Sequence, residues 1–276
     1  MVTMKTFVIS SQRNKNITLD INFTKTIQDP LVIFSHGFKG FKDWGPFNAI
    51  SNIFAQSGLN FLKFNFSHNG VSNENLLEFT DLDSFGSNNF SIELEDLESV
   101  IDWATNNLAD KVDLDRIYLL GHSRGGGISI LKASTNTKVK KLVSWASVSD
   151  FEKRIENDKV NLWKDRGVVY VFNSRTNQQM PLYYQFYEDY INNKSLFSIP
   201  NACRMLTIPT LIIHGDEDQT VDFSEAEDLH TNINNSQLLK VVNSDHVFNA
   251  KHPFDENSFS NQLKTVIAES ISFFKN

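Results

Sequence analysis

The stretch Gly121-His122-Ser123-Arg124-Gly125 constrains this chain more than any other. It lies between the apolar run Ile117-Tyr118-Leu119-Leu120 and the segment Gly126-Gly127-Ile128-Ser129-Ile130-Leu131. The run reads as a buried strand and the segment as a helix, so the five residues between them must turn sharply. Gly121 and Gly125 lack Cβ atoms and let strand and helix approach closely. The turn exposes Ser123 at the strand tip and aims the positive N-terminal end of the helix at it. A serine hydroxyl is a poor nucleophile at neutral pH, and it gains strength only beside a base and donors for the developing oxyanion. A glycine-rich turn with an incidental serine would explain the five residues alone. The strand and helix around them, and two later segments, favour the catalytic reading.

The rest of the chain alternates in the same way. Thr6–Ser10 and Ile17–Phe23 read as an antiparallel hairpin around Gln12-Arg13-Asn14-Lys15. Strands are expected at Leu31–Phe34, Asn60–Phe66, Arg116–Leu120, Val139–Ala146, Thr210–His214 and Leu238–Val242. Helices are expected at Pro46–Gln56, Ile92–Leu108 and Phe259–Phe274. In the second of these, Leu94, Leu97, Ile101, Ala104 and Leu108 share one face and Ser91 is the expected cap. Such alternation predicts an α/β fold with a mainly parallel central sheet and helices on both faces. Ser147–Ile208 breaks the rhythm: it is polar and aromatic, with a two-stranded excursion and a run of Tyr183, Tyr184, Phe186, Tyr187 and Tyr190. A structureless loop of that length is rare in a compact domain, so 147–208 is expected to be a small inserted cap within a single domain spanning 1–276.

Composition narrows the function. The 276 residues carry a net charge of -7 and no basic block, which argues against nucleic-acid binding. The lone Cys203 excludes an internal disulfide framework and fits a reducing compartment. No leader pattern opens the chain and no apolar run reaches membrane-spanning length, so a cytoplasmic protein without a membrane partner is expected, a monomer or homodimer. The histidines and acids show no metal-ligand spacing, and no metal is expected.

A nucleophilic serine needs a base and an acid. Of seven histidines, His246 follows the last expected strand, at a carboxyl-terminal strand end, and is taken as the base. His252 competes but lies farther from the strand. The acid comes from His214-Gly215-Asp216-Glu217-Asp218-Gln219-Thr220-Val221-Asp222. Asp218 is preferred, Asp216 being assigned to the turn and Asp222 to the cap of the next helix. The order Ser123, Asp218, His246 is the chain order of one known triad class. Oxyanion donors are expected at the backbone N–H groups of Arg124 and Phe38, the latter in the loop Ser35-His36-Gly37-Phe38-Lys39-Gly40. His36, Gly37 and His122 are expected to contact the substrate, His122 packing rather than reacting.

These motifs, together with the looser Phe64-Asn65-Phe66-Ser67-His68-Asn69-Gly70-Val71-Ser72, resemble the α/β-hydrolase superfamily. Within it the chain is similar to small bacterial feruloyl and cinnamoyl esterases and to serine-aminopeptidase-like hydrolases. Relatives usually carry an aspartate, and often an arginine, where this chain has Asn65 and Ser67. The resemblance implies the α/β-hydrolase fold and hydrolysis of small carboxylic esters through an acyl-enzyme without a cofactor. An aminopeptidase or acyl-peptidase, with Glu188 and Asp189 as an amine anchor, is the alternative, and a non-catalytic ligand-binding protein a more distant one.

Overall fold

The computed structural model describes residues 3–72, 75, 77–155, 159–255 and 258–276. Residues 156–158 of the expected cap segment thus lie outside the described ones, as do Met1 and Val2 of the N-terminus. The chain opens with the expected hairpin, β1 (Thr3–Ser10) and β2 (Asn16–Phe23), paired antiparallel with Ser10 opposite Asn16. It continues through β3 (Asp29–Ser35), α1 (Phe47–Gln56), β4 (Asn60–Phe64), a short α2 (Leu82–Gly86), α3 (Phe90–Asn107), β5 (Val112–His122), α4 (Arg124–Thr135) and β6 (Val139–Trp145). Next come α5 (Val160–Arg166), the hairpin β7 (Val168–Asn173) and β8 (Gln178–Tyr183), α6 (Gln185–Asn192) and α7 (Ile199–Met205). The last elements are β9 (Thr210–Gly215), α8 (Phe223–Asn232), β10 (Ser236–Val241) and α9 (Asn261–Lys275).

Eight strands form one sheet in the order β1-β2-β4-β3-β5-β6-β9-β10, parallel throughout from β4 to β10. Its central strands read as continuous apolar runs because both faces are covered: Leu31 to Phe34 and Ile117, Leu119 and Leu120 have no exposed surface. The strand order reverses between β3 and β5, and right-handed crossovers on the two sides of that point put α1 and α4 on opposite faces. The packing agrees: the ring of Phe54 in α1 meets that of Phe274 in α9 at 6.5 Å, while α4 packs on α3 and α7. The crevice at the carboxyl ends of β3 and β5 is therefore the place where an open α/β sheet binds a ligand.

One expected detail is corrected. The cap of α3 is Asn89, whose side chain accepts the Ile92 N–H at 2.9 Å. Ser91, the expected cap, lies inside the helix and donates its hydroxyl to Asp189 in α6 at 2.5 Å. Asparagine and serine are both good caps, and the helix begins two residues earlier because the Phe90 ring is buried against Phe151, Phe186 and Phe197. Among the described residues, no helix is long and apolar enough to cross a membrane.

Candidate active site

Ser123 occupies the turn between β5 and α4 with φ 56° and ψ -123°, a backbone conformation that L-residues rarely adopt. The turn survives because it is pinned from several directions. The Ser123 N–H donates to the Trp145 carbonyl at 2.9 Å, tying the elbow to β6. The Ser123 carbonyl accepts the Gly126 N–H at 2.9 Å and so starts the helix. Gly125 must lack a side chain, since a Cβ there would overlap the carbonyl oxygens of Ser35 and His36. Gly37 faces the same demand, because a Cβ on it would stand 2.9 Å from the Ser123 Cβ. The loop after β3 is thereby pressed directly against the serine.

Asp218 follows β9 and is held rigidly. Its Oδ1 accepts the N–H groups of Thr220 and Val221 at 2.8 and 2.9 Å, and its Oδ2 lies 2.7 Å from His246 Nδ1. His214, the last histidine before that turn, also approaches Oδ2, at 3.2 Å, while its Nε2–H donates to the Val221 carbonyl at 2.8 Å. Burial would raise the Asp218 carboxyl, but the hydrogen bonds from His214, His246 and Val221 outweigh it and hold the group well below the usual carboxylate range. The carboxylate therefore stays ionised and fixes His246 with Nδ1 protonated, leaving Nε2 as the basic nitrogen. The two competing acids are occupied elsewhere: Asp216 accepts the Asn243 N–H at 2.8 Å, and Asp222 caps α8. His252 lines the same cavity as His246, but its Nδ1 accepts the Gly45 N–H at 2.9 Å and no contact with Asp218 is present among the described residues.

Ser123, Arg124 and His246 line one cavity of about 980 Å³, together with Phe38 and aromatic groups of the 147–208 segment such as Trp163 and Phe186. The Arg124 N–H is the first of α4, where no intrahelical acceptor exists. No backbone acceptor pairs with the Phe38 N–H among the described residues. The Arg124 guanidinium stacks 3.9 Å over the Phe38 ring and approaches Glu93 at 3.4 Å, clamping the loop that carries Phe38.

Three residues expected at the substrate, His36, Gly37 and His122, are not among those that line the cavity. His36 is buried, its Nε2 accepting the Phe66 N–H at 3.3 Å, and burial lowers its pKa to about 4. Gly37, partly exposed, supplies close approach to the serine. His122 donates through Nε2 to the His246 carbonyl at 2.9 Å. Burial first, and then the neighbouring His246 ring, lower the His122 pKa to about 3, which keeps it a neutral donor. It therefore fastens the His246 loop to the elbow. Sequence reasoning missed this tie, whose only signal was the position of His122 at the tip of a sheet strand. His214, which closes β9, is where the sequence expects a residue that shapes the acid turn.

A serine hydroxyl, an imidazole fixed by an ionised carboxylate, and two backbone N–H groups at one cavity form the group set of acyl transfer to serine. The prolyl oligopeptidase family matches residues 83–276 of the chain. A comparison with curated proteins finds no match. Among solved structures, the esterase domain of a Rhodothermus marinus protein superposes with a TM-score of 0.66 at 17% identity, over 98% of this chain and 97% of that one. Est1E from Butyrivibrio proteoclasticus gives 0.70 at 17% identity, over 98% and 97%. A puromycin-hydrolyzing peptidase of Mycobacterium tuberculosis gives 0.68 at 12% identity, over 99% of this chain and 39% of that one. At such identities the likeness establishes the α/β-hydrolase fold.

Proposed function

Because the chain belongs to the prolyl oligopeptidase family of α/β hydrolases, we propose that it is a serine hydrolase that cleaves carboxylic esters of small substrates through an acyl-enzyme. Ser123 is the nucleophile, His246 the general base and then acid, and Asp218 the group that orients and stabilises the imidazolium. The observation that carries this reading is the 2.7 Å contact between Asp218 and His246 on the cavity that the strained Ser123 turn also faces.

The steps follow from the roles. His246 Nε2 takes the Ser123 proton as Oγ adds to the ester carbonyl. The oxyanion forms between the backbone N–H groups of Phe38 and Arg124, two residues that line the cavity; donors fixed before reaction need little reorganisation. The imidazolium returns its proton to the departing alcohol, leaving an acyl-Ser123. Water, deprotonated by His246, adds to the acyl carbon in the same way, and collapse releases the acid and the free serine. The segment 147–208 acts as a cap, contributing Trp163, Val169, Leu182 and Phe186 to the cavity wall. No cofactor takes part in this scheme.

Amide hydrolysis is the second reading, favoured by the family match. An aminopeptidase would hold its substrate's ammonium with a carboxylate. Glu188 and Asp189 do not line the cavity, and Asp189 is engaged by Ser91. Esters are therefore preferred. Hydrolysis of 4-nitrophenyl acetate, butyrate and octanoate by the protein, beside Ser123→Ala, tests the assignment. Turnover lost in the variant is expected. Folded wild-type protein that cleaves none of these esters, or a variant as active as wild type, would overturn it.

A further inference from the structure

The charge of the cavity differs sharply from that of the chain. With a net charge of -7, a random patch of this protein is acidic on average. Yet seven residues lining the cavity are lysine or arginine, and among the described residues no aspartate or glutamate lines it. Three of the cations are offset by carboxylates behind the wall: Arg124 by Glu93, Lys153 by Asp228 and Arg154 by Glu225. Among the described residues, no carboxylate pairs with Lys39, Arg175 or Lys251.

Arg175 lies over Trp44 and bonds the Lys39 backbone, and Lys251 lines the same cavity. The Arg175 guanidinium lies 5.2 Å from the Trp44 ring and donates one N–H to the Lys39 carbonyl at 2.8 Å. That contact and the ring orient its planar fork, and among the described residues no other acceptor takes its donors. Lys39 sends its ammonium to the Phe172 carbonyl at 3.2 Å. Burial, followed by the nearby Arg175 and Arg124 charges, pulls Lys39 below the ordinary lysine value. Lys251 lies beside Gly45, the neighbour of Trp44, its carbonyl 3.2 Å from where a Gly45 Cβ would be. The cluster is close to the chemistry, because Lys39 follows directly on Phe38 and Gly37 touches Ser123.

Like charges brought together without partners repel, and a cleft with low-dielectric walls focuses the resulting field. An anion seated between them relieves the repulsion. A guanidinium fork takes a carboxylate or phosphate through two parallel hydrogen bonds, and flanking ammonium groups add point charge. We propose that Lys39, Arg175 and Lys251 form an anion subsite, and that the substrates are esters bearing a second, negatively charged group, carboxylate or phosphate, near the scissile bond. This inference rests on the hydrolase reading above. It also deepens it, since the same field repels an ammonium-bearing peptide.

The test compares 4-nitrophenyl hydrogen glutarate with 4-nitrophenyl pentanoate, which has the same chain without the terminal carboxylate. The wild-type protein is expected to show a kcat/KM on the glutarate ester at least about tenfold higher at low salt. The preference should shrink as salt rises from about 0.05 to about 0.5 M. In the Lys39→Gln/Arg175→Gln double variant the ratio should fall towards one. Equal rates on the two esters, or a preference that survives the double variant, would overturn the inference while leaving the hydrolase standing. If neither ester is cleaved, titration calorimetry of glutarate and of inorganic phosphate into the wild type and the double variant decides. Binding lost in the variant supports the subsite without the hydrolase reading, and no binding removes both. Whichever anion binds more tightly identifies the charged group. Should the double variant fail to fold by circular dichroism, Lys251→Gln alone is read in the same way.

Discussion

Lys39 and Lys42 stand three residues apart on one loop and use the same side chain in opposite ways. Lys42 points inward. Its ammonium meets Asp20 and Asp43, both at 2.5 Å, and Lys63 meets the same two carboxylates at 2.6 and 2.5 Å. Lys63 is fully buried and sits opposite Asp20 in the β2–β4 register, so the quartet locks the loop to the sheet edge. Burial opposes the charge on Asp20, but Lys63 and Lys42 more than compensate and hold its carboxyl below the usual range. Lys39 lines the cavity, its ammonium bonded to the Phe172 carbonyl beside the Phe38 ring, with no carboxylate partner among the described residues. Interior charge is balanced within the protein because water cannot balance it there. Charge on a cavity wall can be left for a ligand to balance. A lowered carboxyl pKa is common to Asp20 and Asp218, so by itself it does not mark an active site. What separates them is the partner, lysine in one case and histidine in the other, and an imidazole that opens on a cavity.

Substitutions can break this division. Ser123→Ala should cost at least about a thousandfold in kcat on 4-nitrophenyl butyrate, with the unfolding midpoint in urea unchanged. Asp218→Asn should lower kcat by about a thousandfold or more, because the amide no longer fixes the His246 tautomer, while Asp216→Asn stays within about tenfold. The reverse ranking in steady-state kinetics would reassign the acid. Lys63→Met belongs to the other class. It should destabilise the fold by about 3–5 kcal/mol in urea titrations by leaving buried carboxylates undercompensated, with kcat near wild type for the molecules that remain folded.

Asp96 sharpens the contrast from a third side. Burial pushes its carboxyl up to about 7, against the hydrogen bond it accepts from the Ser67 N–H at 2.7 Å. A carboxyl raised in the folded state stabilises fully below its unfolded value, near 4, and loses that contribution as pH rises through about 7. Asp96→Asn should therefore raise stability more at pH 8 than at pH 4, by up to about 4 kcal/mol, in paired urea titrations. The smallest effect is expected for Lys39→Met, within about 0.5 kcal/mol of wild-type stability, because no buried charge loses its partner. A loss as large as that of Lys63→Met would show that the loop treats both lysines as structure.

Strand, turn and helix around Ser123 were legible because they are local: periodicity and two glycines specify an elbow whatever packs around it. The hairpin, the parallel run of strands and the closing helix were legible for the same reason. Asp222 caps α8 as expected, but Asp216, expected to bond its own turn, accepts the Asn243 N–H of another loop, and Asp218 itself takes the turn's Thr220 and Val221 N–H groups. The start of α3 was misjudged because the choice between Asn89 and Ser91 as cap depends on where the Phe90 ring is buried. His36 and His122 were expected at the substrate, but only the third dimension shows that a loop carbonyl or amide takes each imidazole before a ligand could.

The sequence by itself determined the fold class, the elbow and the candidates for its acid and base, since each is carried by short-range pattern. Tertiary structure alone decided which charges are compensated. Lys42 finds Asp20 and Lys63 finds Asp43 across twenty residues of chain, and Lys39 finds no carboxylate among the described residues. Net charge is a sum over residues and is fixed by the sequence. Electrostatic potential depends on the distances between them, and only folding sets those.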